Sequence, residues 1–251
     1  MSEHTLVFDG ISKRFGEFKV LTDVTGSLAQ GKVTAFIGPN GAGKTTLFQV
    51  LTGELRPDMG TVHWDGAEIT GKSPADLARL GIGKLFQDVR VFRNMSVMDN
   101  VVAALCAMET SSWSFFDLVL LSRRSDLRDR AAHLIAQVGV DARLDALAKD
   151  LSFGNQKLLA FARLLAGNYR CVYLDEPIAG MSPAMAVRLA ELIHHMVEND
   201  KMTVAIIEHE ISFVEELADY VLVLSQGQVV GRGDAAEVLG NPVTREICLG
   251  L

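Results

Sequence analysis

Short apolar runs separated by polar and glycine-containing turns open the chain, and Thr5–Phe8, Val20–Thr25 and Val33–Ile37 read as strands. The last, Val33-Thr-Ala-Phe-Ile37, is nearly unbroken in apolar character, the pattern of a strand buried on both faces. A glycine-rich turn follows, then a helix over Lys44–Thr52 ending near Gly53. Strands at Thr61–Trp64 and Glu68–Thr70 flank Asp65-Gly66, a hairpin dipeptide. From about Val97 to Ala148 the period changes, with apolar residues at helical spacing through Val97–Met108 and Leu127–Val138. The Ser-rich stretch Thr110–Arg124 between them reads as a helical connection whose Trp113, Phe115 and Phe116 serve local packing. Buried-strand patterns then return at Cys171–Leu174 and Thr203–Ile207, each after a helix (Gln156–Ala166 and Pro183–Glu198). A final pair, Tyr220–Leu224 and Gln228–Gly231, turns at Ser225-Gln-Gly227. Alternating helix and apolar strand predicts an α/β fold with a mainly parallel sheet.

The bulk numbers fit one domain. With 251 residues, 49% hydrophobic and 22% charged, the chain can bury a core and is not of disordered composition. Its net charge of -7 comes from mixed acidic and basic residues with no long basic run, which argues against nucleic acid as a partner. Cys106, Cys171 and Cys248 are scattered and odd in number, without metal-ligand or disulfide spacing, as suits a reducing cytosol. No signal-peptide core is visible near Met1–Phe8, and runs such as Leu118–Leu121 and Val101–Ala107 fall well short of the roughly 20 residues that span a bilayer. The expectation is a chain that does not cross a membrane by itself.

Chemistry enters at Gly38-Pro-Asn40-Gly41-Ala42-Gly43-Lys44-Thr45-Thr46, which fits G-x-x-x-x-G-K-[ST] between a buried strand and a helix. Glycines let the backbone turn successive N–H groups inward on phosphate oxygens, and the helix presents its positive end to the same anion. Lys44 is suited to the β- and γ-phosphates, and the Thr45 hydroxyl to Mg²⁺. At the end of another apolar strand stand Asp175 and Glu176, which a parallel sheet should open on the same edge as the phosphate loop. Asp175 is suited to the Mg²⁺ shell, and Glu176 to orienting or deprotonating an attacking water. A third strand ends in Glu208-His209, placing His209 at the mouth of the site. His194 and His195 lie in a helix and receive no role.

Taken together, in this order and over nearly the whole chain, these motifs resemble the ABC-type ATPase family. Leu151-Ser152-Phe-Gly154-Asn-Gln156, just before a helix, is similar to the family's signature sequence, with Phe153 and Asn155 departing from the common form. The resemblance implies that Ser152, Gly154 and Gln156 close over ATP held by a second copy or a paralogue, in a head-to-tail dimer. It implies that Gln87 is a Mg²⁺ and water contact and that Phe15 stacks on adenine. Ala179-Gly-Met-Ser182-Pro183 resembles the loop that follows the catalytic acid, with Ser182 where Asp or Asn is usual. The implied fold is a P-loop NTPase core (1–87 and 166–251) with an antiparallel β subdomain at the amino end and an inserted α-helical subdomain at 88–165. Implied cofactors are ATP and Mg²⁺. Implied partners are transmembrane permease subunits, docking around Val91–Met98, and indirectly a substrate-binding protein. The implied location is cytoplasmic, on the inner face of the membrane.

Several stretches, among them Phe86–Phe92, Glu176–Pro183 and Asn241-Pro-Val…Cys248-Leu-Gly250, are similar to ATP-binding subunits of branched-chain (hydrophobic) amino acid importers. Urea and lipopolysaccharide transport subunits look alike there too, so the solute stays open. A soluble ABC ATPase of assembly, translation or repair is the reading from another class. The single nucleotide domain, lacking a coiled coil or basic arm, argues against the last two. A non-hydrolysing regulator is opposed by the joint presence of Lys44, Asp175, Glu176 and His209.

Overall fold

The computed structural model describes residues 4–85, 90–109 and 125–249; Gln87 and the connection 110–124 lie outside them. Two compact units form: the described residues of Met1–Lys84, Arg170–Pro177 and Ala190–Leu251, and those of Leu85–Tyr169 and Ile178–Leu189.

The first unit opens with two strands much longer than the sequence pattern predicts, β1 (His4–Phe15) and β2 (Phe18–Ala29). Their alternation breaks at a register shift between Phe8 and Ile11, so buried positions run Leu6, Phe8, Ile11 instead of keeping parity. Gly10 sits in that irregularity at φ 62, its N–H donating to Thr25 Oγ1 at 3.0 Å. Next to β1 lies β4 (Met59–Trp64), followed by β5 (Ala67–Glu68), giving a four-stranded antiparallel sheet in the order β2-β1-β4-β5. Strand β5 is earlier and shorter than expected. Thr70 has turned its side chain into the ladder's place, with Oγ1 accepting the Val62 N–H at 2.9 Å. The Asp65-Gly66 turn has φ 48 and 78, the paired left-handed geometry this dipeptide favours.

The second sheet of this unit has the order β10-β9-β3-β8-β7-β6, with β3 (Val33–Ile37), β6 (Ile82–Leu85), β7 (Cys171–Asp175), β8 (Thr203–Ile207), β9 (Tyr220–Ser225) and β10 (Gln228–Asp234). The pairs β7–β8, β8–β3 and β3–β9 are parallel, and β10 returns antiparallel. Every residue of β3, β7 and β8 is buried, which is why each reads as an unbroken apolar run. Helix α1 (Lys44–Leu51) packs Leu47, Phe48 and Leu51 into the core. There the rings Phe8, Phe36, Phe48 and Tyr173 form a chain with centroid spacings of 6.4, 5.1 and 5.0 Å, the last two edge-on. Helix α2 (Pro74–Arg79) and β6 were not anticipated, although Ser73-Pro74 supplies a capping hydroxyl and an N-terminal proline.

The second unit is helical: α3 (Val97–Glu109), α4 (Ser125–Val138) and α5 (Phe153–Leu165) pack on one another. Their apolar stripes, Val97, Val101 and Leu105 on α3 and Leu127, Ala131, Ile135 and Val138 on α4, are buried as the period predicts. Helix α6 (Pro183–Glu198) begins here and continues into the first unit, which closes with α7 (Ile211–Leu217), α8 (Ala235–Gly240) and α9 (Pro242–Leu249). Cys106 and Cys171 are buried. Among the described residues no helix is long and apolar enough to cross a membrane.

Phe48→Ala should cost about 3–5 kcal/mol of stability, because it empties the middle of the ring chain. Tyr173→Phe should cost nothing or stabilise slightly, since Tyr173 Oη is buried without a hydrogen-bond partner among the described residues. Chemical denaturation of both variants checks the pair.

Candidate functional site

The loop between β3 and α1 is shaped by close backbone approaches. A β-carbon on Gly38 (φ 140) would lie 1.9 Å from the Leu224 carbonyl oxygen, and one on Gly43 (φ 99) 2.8 Å from a Leu21 methyl and 3.0 Å from Val20 O. Gly41 (φ 79) has nothing within 4 Å of such a carbon, so the loop is tight behind and open in front. Ala42 is buried, whereas Asn40, Gly41 and Thr45 are exposed and Thr46 half-buried. Helix α1 starts from Gly43 with no side-chain cap, leaving its first-turn N–H groups without intrahelical acceptors. Lys44 is 5% exposed, and its ammonium closes the loop by donating to Gly38 O at 2.7 Å and Pro39 O at 3.0 Å. The result is a cradle of inward N–H groups with one buried cation, which suits a polyphosphate.

Two supports of this loop escaped the sequence reading. The turn Gln226-Gly227 after β9 donates Gly227 N–H to Ala42 O at 3.1 Å and accepts Thr22 N–H on Gly227 O at 2.8 Å. A β-carbon on Gly227 (φ 76) would be 2.3 Å from Val20 O. The sequence shows Gly227 only as a hairpin turn; its contact with a loop some 180 residues earlier is a product of the parallel order β9-β3. The second support is the hairpin that carries Phe18. Phe18 pairs directly across from Phe15 at the tip of the β1–β2 hairpin, so the two rings share a face, 80% and 48% exposed. Through Val20 and Leu21 this hairpin packs on Gly43, which fixes the aromatic tip relative to the phosphate loop.

Asp175 ends β7 opposite Ile207 of β8, so the residues that follow, Glu176 and Glu208-His209, leave the sheet side by side at its carboxyl edge. Glu176 adopts φ 47, a conformation that costs a non-glycine residue about 1 kcal/mol or more. Its N–H is held by Ile207 O at 3.0 Å. His209 Nε2 and Glu176 Oε1 are 2.9 Å apart, with both side chains partly open to solvent. Glu208 is buried and accepts the His209 N–H at 3.1 Å.

Asp175 is 5% exposed, and its Oδ1 is buried with no hydrogen-bond partner among the described residues. Burial pushes its carboxyl pKa up, partly offset by the Lys84 charge, while Glu176 and Glu54 raise it further. An orphaned acidic oxygen beside a phosphate cradle fits a hard divalent cation held by one carboxylate, the Thr45 hydroxyl and substrate phosphate. Gln87 lies outside the described residues.

In the second unit, Ser152 caps α5, its Oγ accepting the Asn155 N–H at 3.3 Å. Asn155 Nδ2 donates to the same oxygen at 3.2 Å, while its Oδ1 accepts the Asp141 N–H at 3.0 Å. Gln156 Nε2 donates to Leu151 O at 3.0 Å, and Gly154 is buried where a β-carbon would be 2.6 Å from Met185. Ser152, Gly154 and Gln156 thus form one ordered turn.

Gly227→Ala should weaken ATP binding by at least about tenfold, because the added carbon pushes β2 and Ala42 apart; calorimetric titration with ATP checks it. For Asp175 the sign follows from its raised pKa. The folded state binds its proton more tightly, so ligand-free stability falls as pH rises from the unfolded pKa through the folded one. Asp175→Asn should therefore raise the ligand-free Tm at pH 7 and remove the extra stabilisation by Mg·ATP over ATP alone, both read by thermal melts.

The sequence profile of the ABC transporter family matches residues 21–179. The high-affinity branched-chain amino acid transport ATP-binding protein LivG of Salmonella typhimurium is 33% identical over 253 residues, covering 100% of this chain and 99% of that one. A probable branched-chain amino acid transport ATP-binding protein LivG of Methanocaldococcus jannaschii is 34% identical, covering 96% of each. A crystal structure of the ADP conformation of an ATP-binding cassette of an ABC transporter superposes with a TM-score of 0.85 at 31% identity over 100% of both chains. Phosphate loop, acidic edge and profile agree: the chain belongs to the ABC transporter family and is one of its ATP-binding subunits.

Proposed function

We propose that this subunit hydrolyses ATP to drive an importer of branched-chain or other hydrophobic amino acids. The observation that carries hydrolysis is the 2.9 Å contact of His209 with Glu176, a strained carboxylate beside the phosphate cradle. Lys44 and the N–H groups of residues 40–46 hold the triphosphate, Phe15 stacks on adenine with Phe18 beside it, and Thr45, Asp175 and Gln87 hold Mg²⁺. The bound cation supplies charge neutralisation at the phosphates. Glu176 orients the water and takes its proton, while His209 holds Glu176 in line. Most of the acceleration is positioning and charge compensation. The amino acid solute rests on the relatives' names alone.

In this reading residues 1–87 and 166–251 form the nucleotide core and 88–165 the helical subdomain. Two copies, or this chain and a paralogue, bind head to tail, with Ser152, Gly154 and Gln156 of one against the ATP of the other. The pair sits on the cytoplasmic face of the membrane against permease subunits, which receive solute from a substrate-binding protein. The permease docks on segment 91–98. Phe92 is 49% exposed there, and the Arg163 guanidinium stacks 4.5 Å from its ring centre. Asn100, fully buried, pins that segment by accepting the Phe92 N–H at 2.8 Å and donating to the carbonyls of Phe92 and Ser96.

Glu176→Gln should lower ATP turnover by about 10²–10⁴-fold. ATP binding should persist and an ATP-dependent dimer should accumulate, followed by light scattering. Unchanged turnover would sink the assignment of the base. Phe92→Asp should abolish ATP-driven amino acid uptake into vesicles carrying the whole transporter, while leaving ATP binding within about twofold. Undiminished uptake would move the docking site elsewhere.

A further inference from the structure

At the end of β3 away from the phosphate loop, Lys32 and Thr34 border a cavity of about 1030 Å³, the size of pockets that hold small organic molecules. It lies wholly within the first unit, between the end of β2, the starts of β3 and β9, the end of β10 and helices α7–α9. Ala218, Ala235 and Leu239 give it an apolar wall. Thr34, 1% exposed, adds a hydroxyl oxygen without a hydrogen-bond partner among the described residues. Burying a hydroxyl unpaired is destabilising, so this wall is not plain core. The cavity also carries charged side chains of balanced sign. Two cations are matched already: Lys32 Nζ reaches Asp219 Oδ1 at 2.7 Å, and Arg245 Nη2 reaches Glu215 Oε1 at 2.9 Å. Arg232 and Asp234 are not matched. Arg232 has no side-chain partner among the described residues, and Asp234 only accepts the Ala236 N–H at 3.0 Å. Opposite Leu222 and Tyr220, they share one face of β10, about 6.5–7 Å apart along the strand.

We propose that this cavity binds a small zwitterion, an α-amino acid with an apolar side chain, its carboxylate on Arg232 and its ammonium on Asp234. A simple anion or cation answers one of these groups and meets a like charge on the other. The balanced lining gives no attraction for a polyanion such as a nucleotide. An α-amino acid carries its two charges on neighbouring carbons. With one charge-assisted hydrogen bond at each end, it spans the gap that Arg232 and Asp234 do not close between themselves. Its side chain then lies on Ala218, Ala235 and Leu239. The site is separate from the phosphate loop, and its preference follows from its own lining, whatever solute the transporter carries.

Calorimetric titration of the purified chain with L-leucine tests the site. The dissociation constant should be on the order of 1 mM, the range for a ligand of this size held by two charged contacts. Isocaproate, which lacks the ammonium, and isoamylamine, which lacks the carboxylate, should each bind at least about tenfold more weakly. Arg232→Gln and Asp234→Asn should each weaken leucine by a similar factor, with ATP affinity within about twofold of native. Both side chains are exposed, and asparagine keeps the cap on α8, so both variants should fold. Saturating Mg·ATP should leave leucine affinity within about twofold. No leucine binding up to roughly 50 mM would overturn the proposal. So would isocaproate or isoamylamine binding as tightly as leucine, native leucine affinity in either variant, or displacement of leucine by Mg·ATP. Glu176→Gln should bind leucine as the native chain does, so a failure of the hydrolysis reading and a failure of this site are read separately.

Discussion

The carbonyl oxygen of Leu224 leaves no space for a side chain at residue 38, and much of the site follows from that contact. With Gly38 against the end of β9, Gly43 against β2 and Gly227 against Val20 of the same strand, three close approaches hold one six-residue loop from behind. Glycine is needed at these places because backbone passes within contact distance, which no rotamer choice can relieve. Lys44 is buried there and draws two loop carbonyls, Gly38 O and Pro39 O, around its ammonium. The same closure leaves the front of the loop, at Gly41, open. A polyphosphate cradle results from packing behind the loop as much as from the motif within it.

The acidic edge depends on register. Because Asp175 stands opposite Ile207, the first residue beyond each strand, Glu176 and Glu208, emerges at the same level, and His209 can reach back to Glu176. One residue of slip in either strand would turn these side chains to opposite faces. Adjacent carboxylates thus acquire different environments. Asp175 is buried with an unpaired oxygen and a raised pKa, while Glu176 is partly exposed, strained and paired with a histidine. That division separates cation binding from water activation in the proposed cycle.

What the sequence made legible was what is local. Strands β3, β7 and β8 are buried on both faces, so their apolar runs betray them, and the phosphate loop and acidic pair sit at their ends. The sequence pattern predicts only part of β1, because the irregularity at Gly10 shifts the buried parity from Phe8 to Ile11. The second strand of the Asp65-Gly66 hairpin was misplaced because the Thr70 hydroxyl imitates a ladder acceptor. The supports of the site were illegible for a different reason. Gly227 touches Ala42, and Lys157 touches Ala179, only after long stretches of chain have folded between them. No period or motif within either segment marks such a meeting.

Phe153 and Asn155, the two departures from the common signature sequence, have separate physical uses. Asn155 holds Ser152 from the side, donating to its Oγ and accepting the Asp141 N–H, so the serine rotamer is fixed before any ligand arrives. Because Ser152 Oγ only accepts in these two bonds, its own proton remains to be donated. A capped helix turn with a spare hydroxyl proton favours an anion such as the terminal phosphate of ATP. Phe153 faces the other way, onto Gly180 under the Lys157 charge. The turn is therefore held on one side by Asn155 and on the other by Phe153. The far side of the turn is thereby packed on the segment 179–185 of the same unit.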